Sequence, residues 1–256
     1  MKTYELSIQK NIRDLGGLKG YNGKTIKYNR LFRGGAFPKV NEEDIKILES
    51  FHLTDVVDFR GKDEFVNKSD YRLKNVTFHN FPVIEEKIKA EDRNKDDGNL
   101  LWFVSEHQSG YEHLKEQYKV LVTNKQGIKA YKDFFKLVQE DNHVIYFHCS
   151  QGKDRAGLAA FFIEMALGVS MEDAIDDYLL TNIAMEKRTE SLLRSVQYKD
   201  FYNEEYKQSL LDVFSAKIDY LQATIDEINK QYGDIETFLT NILDIDLEKM
   251  RLLYLE

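Results

Sequence analysis

The pattern of apolar and polar positions in the first two thirds of this 256-residue chain is one of short apolar runs alternating with stretches of helical periodicity. The runs at 54–59, 76–81 and 143–147 have the length and composition of strands. Strands that alternate with helices in this way predict an α/β fold, in which helices flank a central sheet.

Much of the remaining chain has the capping residues and apolar periodicity of helices. A helix is expected to begin at Asn41, because this residue precedes EEDIKILESF and its acids would lie in the first turn. An apolar helix should end at Gly168, a natural helix terminator. Ser170 begins a capping signal, and almost everything beyond it has helical periodicity. The sequence therefore predicts a helical C-terminal lobe over about 170–256.

The chain reads as a single domain over 1–256, because no repeat or low-complexity linker divides it. A polar, charged stretch over about 85–110 interrupts the pattern and contains the apolar patch LLWFV. It is too long for a plain turn. We interpret it as a variable insertion and hypothesise that it acts as a lid.

Composition narrows the class of protein. The net charge is −8, so a nucleic-acid binder, which usually carries a basic field, is disfavoured. No apolar stretch is long enough to cross a bilayer, so we expect no stable membrane insertion. The N-terminus MKTYELSIQK lacks the apolar run of a signal peptide, which predicts a cytoplasmic protein, or a secreted one if a signal has been removed. The oligomeric state stays open.

The motif HCSQGKDR at 148–155 directly follows the apolar run VIYF. It should form a loop at the carboxyl end of a strand and the amino end of a helix, where open α/β sheets bind ligands. Unpaired N–H groups and the partial positive charge of a helix start suit a phosphate group. The residues expected to bind phosphate are Ser150, Gln151, Gly152, Lys153, Asp154 and Arg155.

The same field would stabilise the thiolate of Cys149, the only cysteine in the chain. We expect Cys149 to attack phosphorus in line and form a cysteinyl-phosphate, which water then hydrolyses. Arg155 would hold two phosphate oxygens with its forked guanidinium. This chemistry needs neither a metal nor another cofactor, and we expect none.

The loop HCSQGKDRAG resembles the signature of the Cys-dependent phosphatases, and its Lys-Asp pair is similar to that of the atypical bacterial tyrosine phosphatases, several of which act on phosphoinositides. NIRDLGG at 11–17, LFRGG at 31–35 and VVDFRGKDE at 56–64 resemble N-terminal motifs of that group. The resemblance implies a phosphatase-type sheet and a protein-tyrosine-phosphatase-like hydrolase. Its substrate would be a phosphorylated protein or a phospholipid headgroup. Phosphotyrosine is favoured because its reach suits a deep cleft.

Two positions depart from that family's pattern. The family usually has Ala at position 151 and Thr at 156, where this chain has Gln151 and Ala156. The missing hydroxyl would normally donate a hydrogen bond to the departing thiolate, and a bond of this kind is worth about 1.5–3 kcal/mol. We therefore expect slow hydrolysis of the intermediate.

The general acid is harder to assign. Tyrosine phosphatases usually supply it from a Trp-Pro-Asp loop, but the single tryptophan, Trp102, is followed by Phe103 and Val104. The family resemblance makes Asp154 the first choice, and Asp58, near the end of a predicted strand, is the second. Three acids on the insertion are weaker alternatives: Asp92, Asp96 and Asp97.

Several charged residues near these motifs are expected to support the site. His148 would orient the loop. Arg13, Asp14 and Arg33 are expected to form a buried ion-pair brace rather than to contact substrate. For Asp58 and Arg60 both readings stay open, and Lys153 is either a surface charge or a ligand for a phosphate.

Two other functions use the same loop. An arsenate reductase would need further cysteines to pass the oxidation on, and this chain has none. A non-catalytic phosphate-binding module fits Ala156, but it has no use for a nucleophile such as Cys149.

Overall fold

The computed structural model describes residues 2–62, 64, 68–84, 109–199 and 202–256. The strands are β1 (Lys2–Tyr4), β2 (Ile12–Asp14), β3 (Leu31–Gly35), β4 (Asp55–Asp58), β5 (Thr77–Asn80) and β6 (Ile145–Cys149). They form one sheet in the order β1-β2-β3-β6-β4-β5. β1, β2 and β3 pair antiparallel, whereas β3, β6, β4 and β5 are parallel. The strand β6 therefore lies in the middle of the parallel part.

The helices lie mostly in the second half of the chain. They are α1 (Glu42–Ser50), α2 (Gly110–Thr123), α3 (Lys125–Val138), α4 (Arg155–Ala166), α5 (Met171–Val196), α6 (Glu204–Phe214), α7 (Ile218–Tyr232), α8 (Ile235–Thr237) and α9 (Leu247–Tyr254). A π-helical turn, Phe238–Ile242, continues α8. The predicted helical C-terminal lobe is thus confirmed in α5 to α9.

Helices cover both faces of the sheet. Successive strand residues point to opposite faces, so Ile145 and Phe147 of β6 enter one core and Tyr146 enters another. Leu48 of α1 packs in the core around Tyr146. Helices α2 to α5, α7 and α9 contribute to the larger core on the opposite face. The α/β fold with a sheet flanked by helices is therefore confirmed.

The predicted strands exist, but their ends differ. β4 and β5 are shorter than the apolar runs at 54–59 and 76–81. β6 extends two residues beyond the predicted 143–147, because His148 and Cys149 continue the ladder with β3. Cys149 is therefore the last residue of a strand and does not belong to the loop.

The predicted helix ends are confirmed by their capping contacts. The Asn41 side chain accepts a hydrogen bond from the N–H of Asp44 at 2.9 Å, and the Asp44 side chain accepts one from the N–H of Asn41 at 3.1 Å. Gly168 has a φ of 75°, a left-handed conformation that ends α4. Ser170 caps α5 by accepting from the N–H of Asp173.

The predicted insertion at 85–110 lies almost entirely outside the described residues. The same holds for Trp102 and the three acids Asp92, Asp96 and Asp97. The lid therefore stays a prediction. Within the described residues, no helix is long and apolar enough to span a lipid bilayer.

Replacing the cap residue tests the local basis of α1. Asn41→Ala removes one side of the capping box, and we expect it to lower the free energy of unfolding by about 1 kcal/mol. Urea denaturation should show a lower midpoint at an unchanged slope. Ser50→Ala, at the exposed far end of the same helix, is the control and should stay near the wild type. Equal midpoints for Asn41→Ala and the wild type would contradict the capping role.

Candidate active site

The cysteine loop (residues 150–154) lies at the carboxyl edge of the parallel strands. β6 ends at Cys149 and α4 begins at Arg155, so the loop joins a strand end to a helix start. β3 and β4 flank β6 and end beside it. The segments after three neighbouring strands therefore meet here, which is where open α/β sheets bind ligands.

In the cysteine loop, the backbone carbonyl groups accept hydrogen bonds from neighbouring segments, whereas the backbone N–H groups do not donate to any protein atom that the structure describes. In the described part of the chain, none of the backbone N–H groups of 150–154 donates to a protein acceptor. These N–H groups are therefore left for a ligand, and a set of unpaired amides suits an anion. The carbonyl contacts are Asn11 Nδ2 to Gln151 O at 2.9 Å, Arg33 Nη2 to Gly152 O at 2.9 Å and Ala36 N to Ser150 O at 3.3 Å.

Gly152 lets the loop approach the sheet edge. Its φ is 72°, a conformation that a side chain rarely adopts. A Cβ at this position would lie 2.4 Å from the carbonyl carbon and oxygen of Gly34 on β3. A larger residue would push the loop away from β3 and change the positions of its amides.

Arg155 is held by Glu64, a residue that the sequence reasoning missed. Arg155 Nη1 and Nη2 contact the two carboxylate oxygens of Glu64 at 2.5 and 2.9 Å. The hydroxyl of Ser150 donates to the same carboxylate at 2.6 Å. Glu64 thus fixes the guanidinium plane and one residue of the cysteine loop together.

This contact shifts the pKa of both partners. Burial alone would raise the pKa of Glu64, but the charge and hydrogen bonds of Arg155, with that of Ser150, lower it to about 2. Burial alone would lower the pKa of Arg155, but the Glu64 carboxylate, together with Cys149 and Asp154, raises it. Arg155 therefore stays a cation beside the cysteine.

Cys149 is almost fully buried, with 2% of its surface exposed. It directly precedes the loop that leads into α4, where the helix start and the Arg155 cation favour negative charge. This arrangement can stabilise a thiolate and bind an anion at the same place.

The predicted arginine brace exists, but its acid is Asp177 rather than Asp14. Asp177 of α5 contacts Arg13 Nε at 2.7 Å and Arg33 Nη1 at 2.6 Å, and all three residues are buried. Asp14 instead accepts two backbone N–H groups, at 2.9 and 2.8 Å. The expectation for Asp14 was wrong because it rested on closeness in sequence, whereas β2 directs adjacent side chains to opposite faces.

His148, Arg60 and Asp58 belong to a buried network below the loop. Three contacts join the Arg60 side chain to Asp58, at 2.7 to 3.0 Å, and Arg60 Nη2 contacts Asp70 at 2.5 Å. Nδ1 of His148 lies 3.1 Å from the carbonyl oxygen of Cys149, and its Nε2 lies 3.5 Å from Asp70. His148 is thus placed to orient the loop.

The network also bears on what Asp58 can do. Asp58 is 4% exposed and both of its oxygens accept from Arg60, so the structure does not support it as a proton donor to a leaving group. Atoms of Asp58, Asp70 and His148 lie within 4.8 Å of one another, a spacing that a metal ion could use. The Arg60 guanidinium already pairs with both carboxylates, so this cluster is an ion-pair network.

Lys153 is not a surface charge. It is 2% exposed, and its ammonium donates to the carbonyls of Val213 at 2.5 Å and Ser215 at 3.2 Å. Those carbonyls lie at the C-terminal end of α6, where a cation is favourable. Lys153 therefore fastens the cysteine loop to the helical lobe.

Comparisons with known proteins show the family to which the chain belongs. Residues 4–256 match the model of the tyrosine phosphatase family. A "putative tyrosine-protein phosphatase" of Cupriavidus necator is 27% identical, with 96% of this chain and 85% of that protein covered. The triple specificity protein phosphatase PtpB of Mycobacterium tuberculosis is 20% identical, with 93% of each chain covered. The chain belongs to the tyrosine phosphatase family, and it is accordingly a phosphoric monoester hydrolase.

A solved structure was also found. The crystal structure of a cysteine-to-serine variant of P. aeruginosa TpbA in complex with phosphotyrosine has a TM-score of 0.29 and 13% identity. The match covers 80% of this chain and 90% of that one.

The sequence contained a signal for one missed residue. Glu64 ends the stretch VVDFRGKDE, and β4, within that stretch, pairs with β6. Placing these two strands side by side would have brought Glu64 to the loop. Asp177 lies on α5 and no local pattern separates it from other helix acids.

Neutralising Glu64 should destabilise the fold in a pH-dependent way. Its pKa falls from 4.5 to about 2 on folding, so its charge stabilises the fold by about 3 kcal/mol above pH 4.5. That stability is lost as the pH falls from 4.5 towards 2. In urea at pH 7, Glu64→Gln should therefore unfold earlier than the wild type, and the difference should shrink in acid.

Glu116→Gln is the matched control for this prediction. Glu116 is 66% exposed and, among the residues that the structure describes, its ion pair is with Lys119, so its loss should cost less than about 0.5 kcal/mol at any pH. If Glu64→Gln were as stable as the wild type at pH 7, the contact with Arg155 would not have the stabilising role described.

Proposed function

We propose that this phosphatase hydrolyses phosphotyrosine in proteins through a phosphate covalently bound to Cys149. One observation carries this proposal: Cys149 ends a buried strand directly below a loop whose N–H groups have no protein acceptor in the described residues. These amides and the guanidinium of Arg155 can donate hydrogen bonds to the oxygens of a phosphate next to a nucleophile.

In the first step the thiolate sulfur of Cys149 attacks phosphorus. The S–P bond forms while the bond between phosphorus and the tyrosine oxygen breaks. A proton passes to that departing oxygen from the carboxylic acid of Asp154. Arg155 and the loop amides stabilise the charge that develops on the equatorial phosphate oxygens.

In the second step a water molecule attacks the phosphorus of the intermediate. The Asp154 carboxylate takes the proton of this water, the O–P bond forms and the S–P bond breaks. Inorganic phosphate leaves and the Cys149 thiolate is restored. Among the acids that the sequence suggested, Asp154 is the one that the described residues support.

The position of Lys153 supports phosphotyrosine over phosphoinositides. A phosphoinositide carries a second phosphate, and a free cation beside the loop would help to bind it. The Lys153 ammonium is buried and its hydrogen bonds go to carbonyls of the lobe. It is therefore engaged elsewhere, and a substrate with a single phosphate fits the site better.

The other readings of the loop are less well supported. A binding module would gain nothing from a cysteine held at the helix start. An arsenate reductase would require a second thiol, and the chain contains one cysteine.

The experiment that tests this proposal compares substrates, with Cys149→Ser as the blank. Turnover should be highest on a phosphotyrosine peptide and lower on a phosphoserine peptide and on phosphoinositide vesicles. p-Nitrophenyl phosphate should give a burst of p-nitrophenol, because the intermediate forms faster than it is hydrolysed. Cys149→Ser should abolish both the burst and turnover on every substrate.

The outcomes separate the parts of the proposal. Activity that survives Cys149→Ser would overturn the covalent mechanism. Turnover of phosphoinositides above that of the peptide would overturn the substrate assignment and leave the mechanism in place.

Restoring the hydroxyl at position 156 should speed the second step. Ala156 is fully buried in the first turn of α4, so the wild type has no hydroxyl there to assist the departing thiolate. A hydrogen bond to a charged group is worth about 1.5–3 kcal/mol, so Ala156→Thr should raise kcat by about tenfold or more and reduce the burst. Stopped-flow measurements with p-nitrophenyl phosphate would show both changes.

Ala156→Val is the matched control, because valine has the shape of threonine without the hydroxyl. Any change of kcat in Ala156→Val should reflect only the added side-chain volume in a packed core. An equal kcat for the threonine and valine variants would contradict the role given to the hydroxyl.

A further inference from the structure

Asp154 occupies a helix-capping position without capping the helix. It is the N-cap residue of α4, and an aspartate there normally accepts a hydrogen bond from the second or third N–H of the helix. Its side chain makes no such bond. The carboxylate therefore forgoes a stabilising contact, and the helix N–H groups stay available to an anion.

The carboxylate of Asp154 is instead turned towards two tyrosines of the helical part. The hydroxyl of Tyr118, on α2, donates to Asp154 Oδ1 at 2.7 Å. The hydroxyl of Tyr178, on α5, lies 2.7 Å from that of Tyr118. Because the Tyr118 hydroxyl uses its one hydrogen in the bond to Asp154, the Tyr178 hydroxyl is the donor in its bond to Tyr118. The three groups form one directed chain that ends at the cysteine loop.

Both the backbone and the side chain of Tyr118 are held in place. It is 1% exposed, and its backbone carbonyl accepts from Thr224 Oγ1 on α7 at 3.1 Å. Its ring packs against those of Tyr178 and Tyr220. Burial, with the Asp154 charge, raises the pKa of Tyr118 well above its usual value, so it stays a neutral donor.

The two oxygens of Asp154 are not equivalent. Oδ1 accepts from Tyr118 and lies 3.2 Å from the Lys153 ammonium. Oδ2 has no hydrogen bond within the described part of the chain, and the side chain is one-third exposed. A carboxyl group held in this way by one oxygen leaves the other free to carry a proton.

We propose that Tyr118 is a positioning residue for the phosphatase reaction, which holds Asp154 by Oδ1 so that Oδ2 faces the oxygen that leaves phosphorus. Tyr178 supports the same chain one hydroxyl further away. When the bond from phosphorus to the leaving oxygen breaks, the proton on Oδ2 passes to that oxygen. The negative charge then left on Asp154 is stabilised by the Tyr118 hydroxyl and the Lys153 ammonium.

This inference rests on the proposed function, because it takes Asp154 as the acid. Its test uses the dependence of kcat/KM on the leaving group, since kcat/KM reports the step in which the aryl group departs. In a series of aryl phosphates from p-nitrophenyl phosphate to phenyl phosphate, the leaving oxygen becomes more basic. Its departure therefore depends more and more on a proton from the acid.

Tyr118→Phe removes the hydroxyl and keeps the ring. We expect kcat/KM for phenyl phosphate to fall about tenfold, the effect of one hydrogen bond to a charged group. The value for p-nitrophenyl phosphate should change less than about twofold, because that leaving group needs little protonation. Tyr178→Phe should give the same pattern at a smaller size and serves if Tyr118→Phe folds poorly.

Tyr232→Phe is the matched control. The hydroxyl of Tyr232 donates to the carbonyl of Val122 on the same helix α2, at 3.1 Å, and does not reach Asp154. This variant should change kcat/KM equally, and little, across the series. A merely structural role of Tyr118 predicts the same uniform behaviour for Tyr118→Phe.

Asp154→Asn separates this inference from the proposed function. If Asp154 is the acid, this variant alone should make kcat/KM fall more steeply for poorer leaving groups. Adding Tyr118→Phe should then cost nothing more. A uniform loss in Tyr118→Phe, or a full additional loss in the double variant, would overturn the positioning role. No leaving-group effect in Asp154→Asn would overturn the acid assignment itself.

Discussion

The architecture of the site depends on one buried carboxylate placed between two buried guanidiniums. Asp177 joins Arg13 on β2 to Arg33 on β3, and Arg33 also donates to the carbonyl of Gly152. Removing these charges from water is costly, and a buried ion pair is poor grounds for expecting stability. Its value here is geometric, because it ties α5 and two strands to the backbone of the cysteine loop.

The same brace leaves an excess of positive charge behind the loop. Two arginines face one ionised aspartate, and the nearby Glu164 does not offset them, since burial, followed by the charge of Asp177, raises its pKa well above the usual range. A neutral Glu164 adds no charge to the brace. The protein has a net charge of −8, so its global field would repel a phosphate. The local charge of the brace, the start of α4 and the loop amides act against that field at short range, where low dielectric strengthens them.

The features predicted correctly from the sequence are those that near neighbours determine. The cap at Asn41, the end of a helix at Gly168 and the strand before Cys149 each follow from a few adjacent residues. The features that were missed join residues far apart in the chain. Asp177 lies 164 positions from Arg13, Glu64 lies 91 from Arg155, and Tyr118 lies 36 from Asp154. Local patterns do not specify these pairs, because the sheet order that brings them together is itself a result of folding. Glu64 alone could have been placed, and only by first assuming that β4 lies beside β6. Asp14 was chosen for the brace because it adjoins Arg13, and the alternation of strand side chains excludes that pairing.

The two halves of the cysteine loop are held by different parts of the fold. The carbonyls of residues 150–152 bond to segments around β2 and β3, whereas Lys153 and Asp154 bond to the helical lobe and to α2. In the proposed mechanism, the sheet side therefore sets the amides that would bind phosphate, and the helical side sets the carboxyl group that would handle the proton. The Lys-Asp pair of the loop contacts two helical segments, because the lysine fastens the loop to the lobe and the Tyr118 hydroxyl of α2 holds the aspartate. The helical lobe is thus part of the active site's construction.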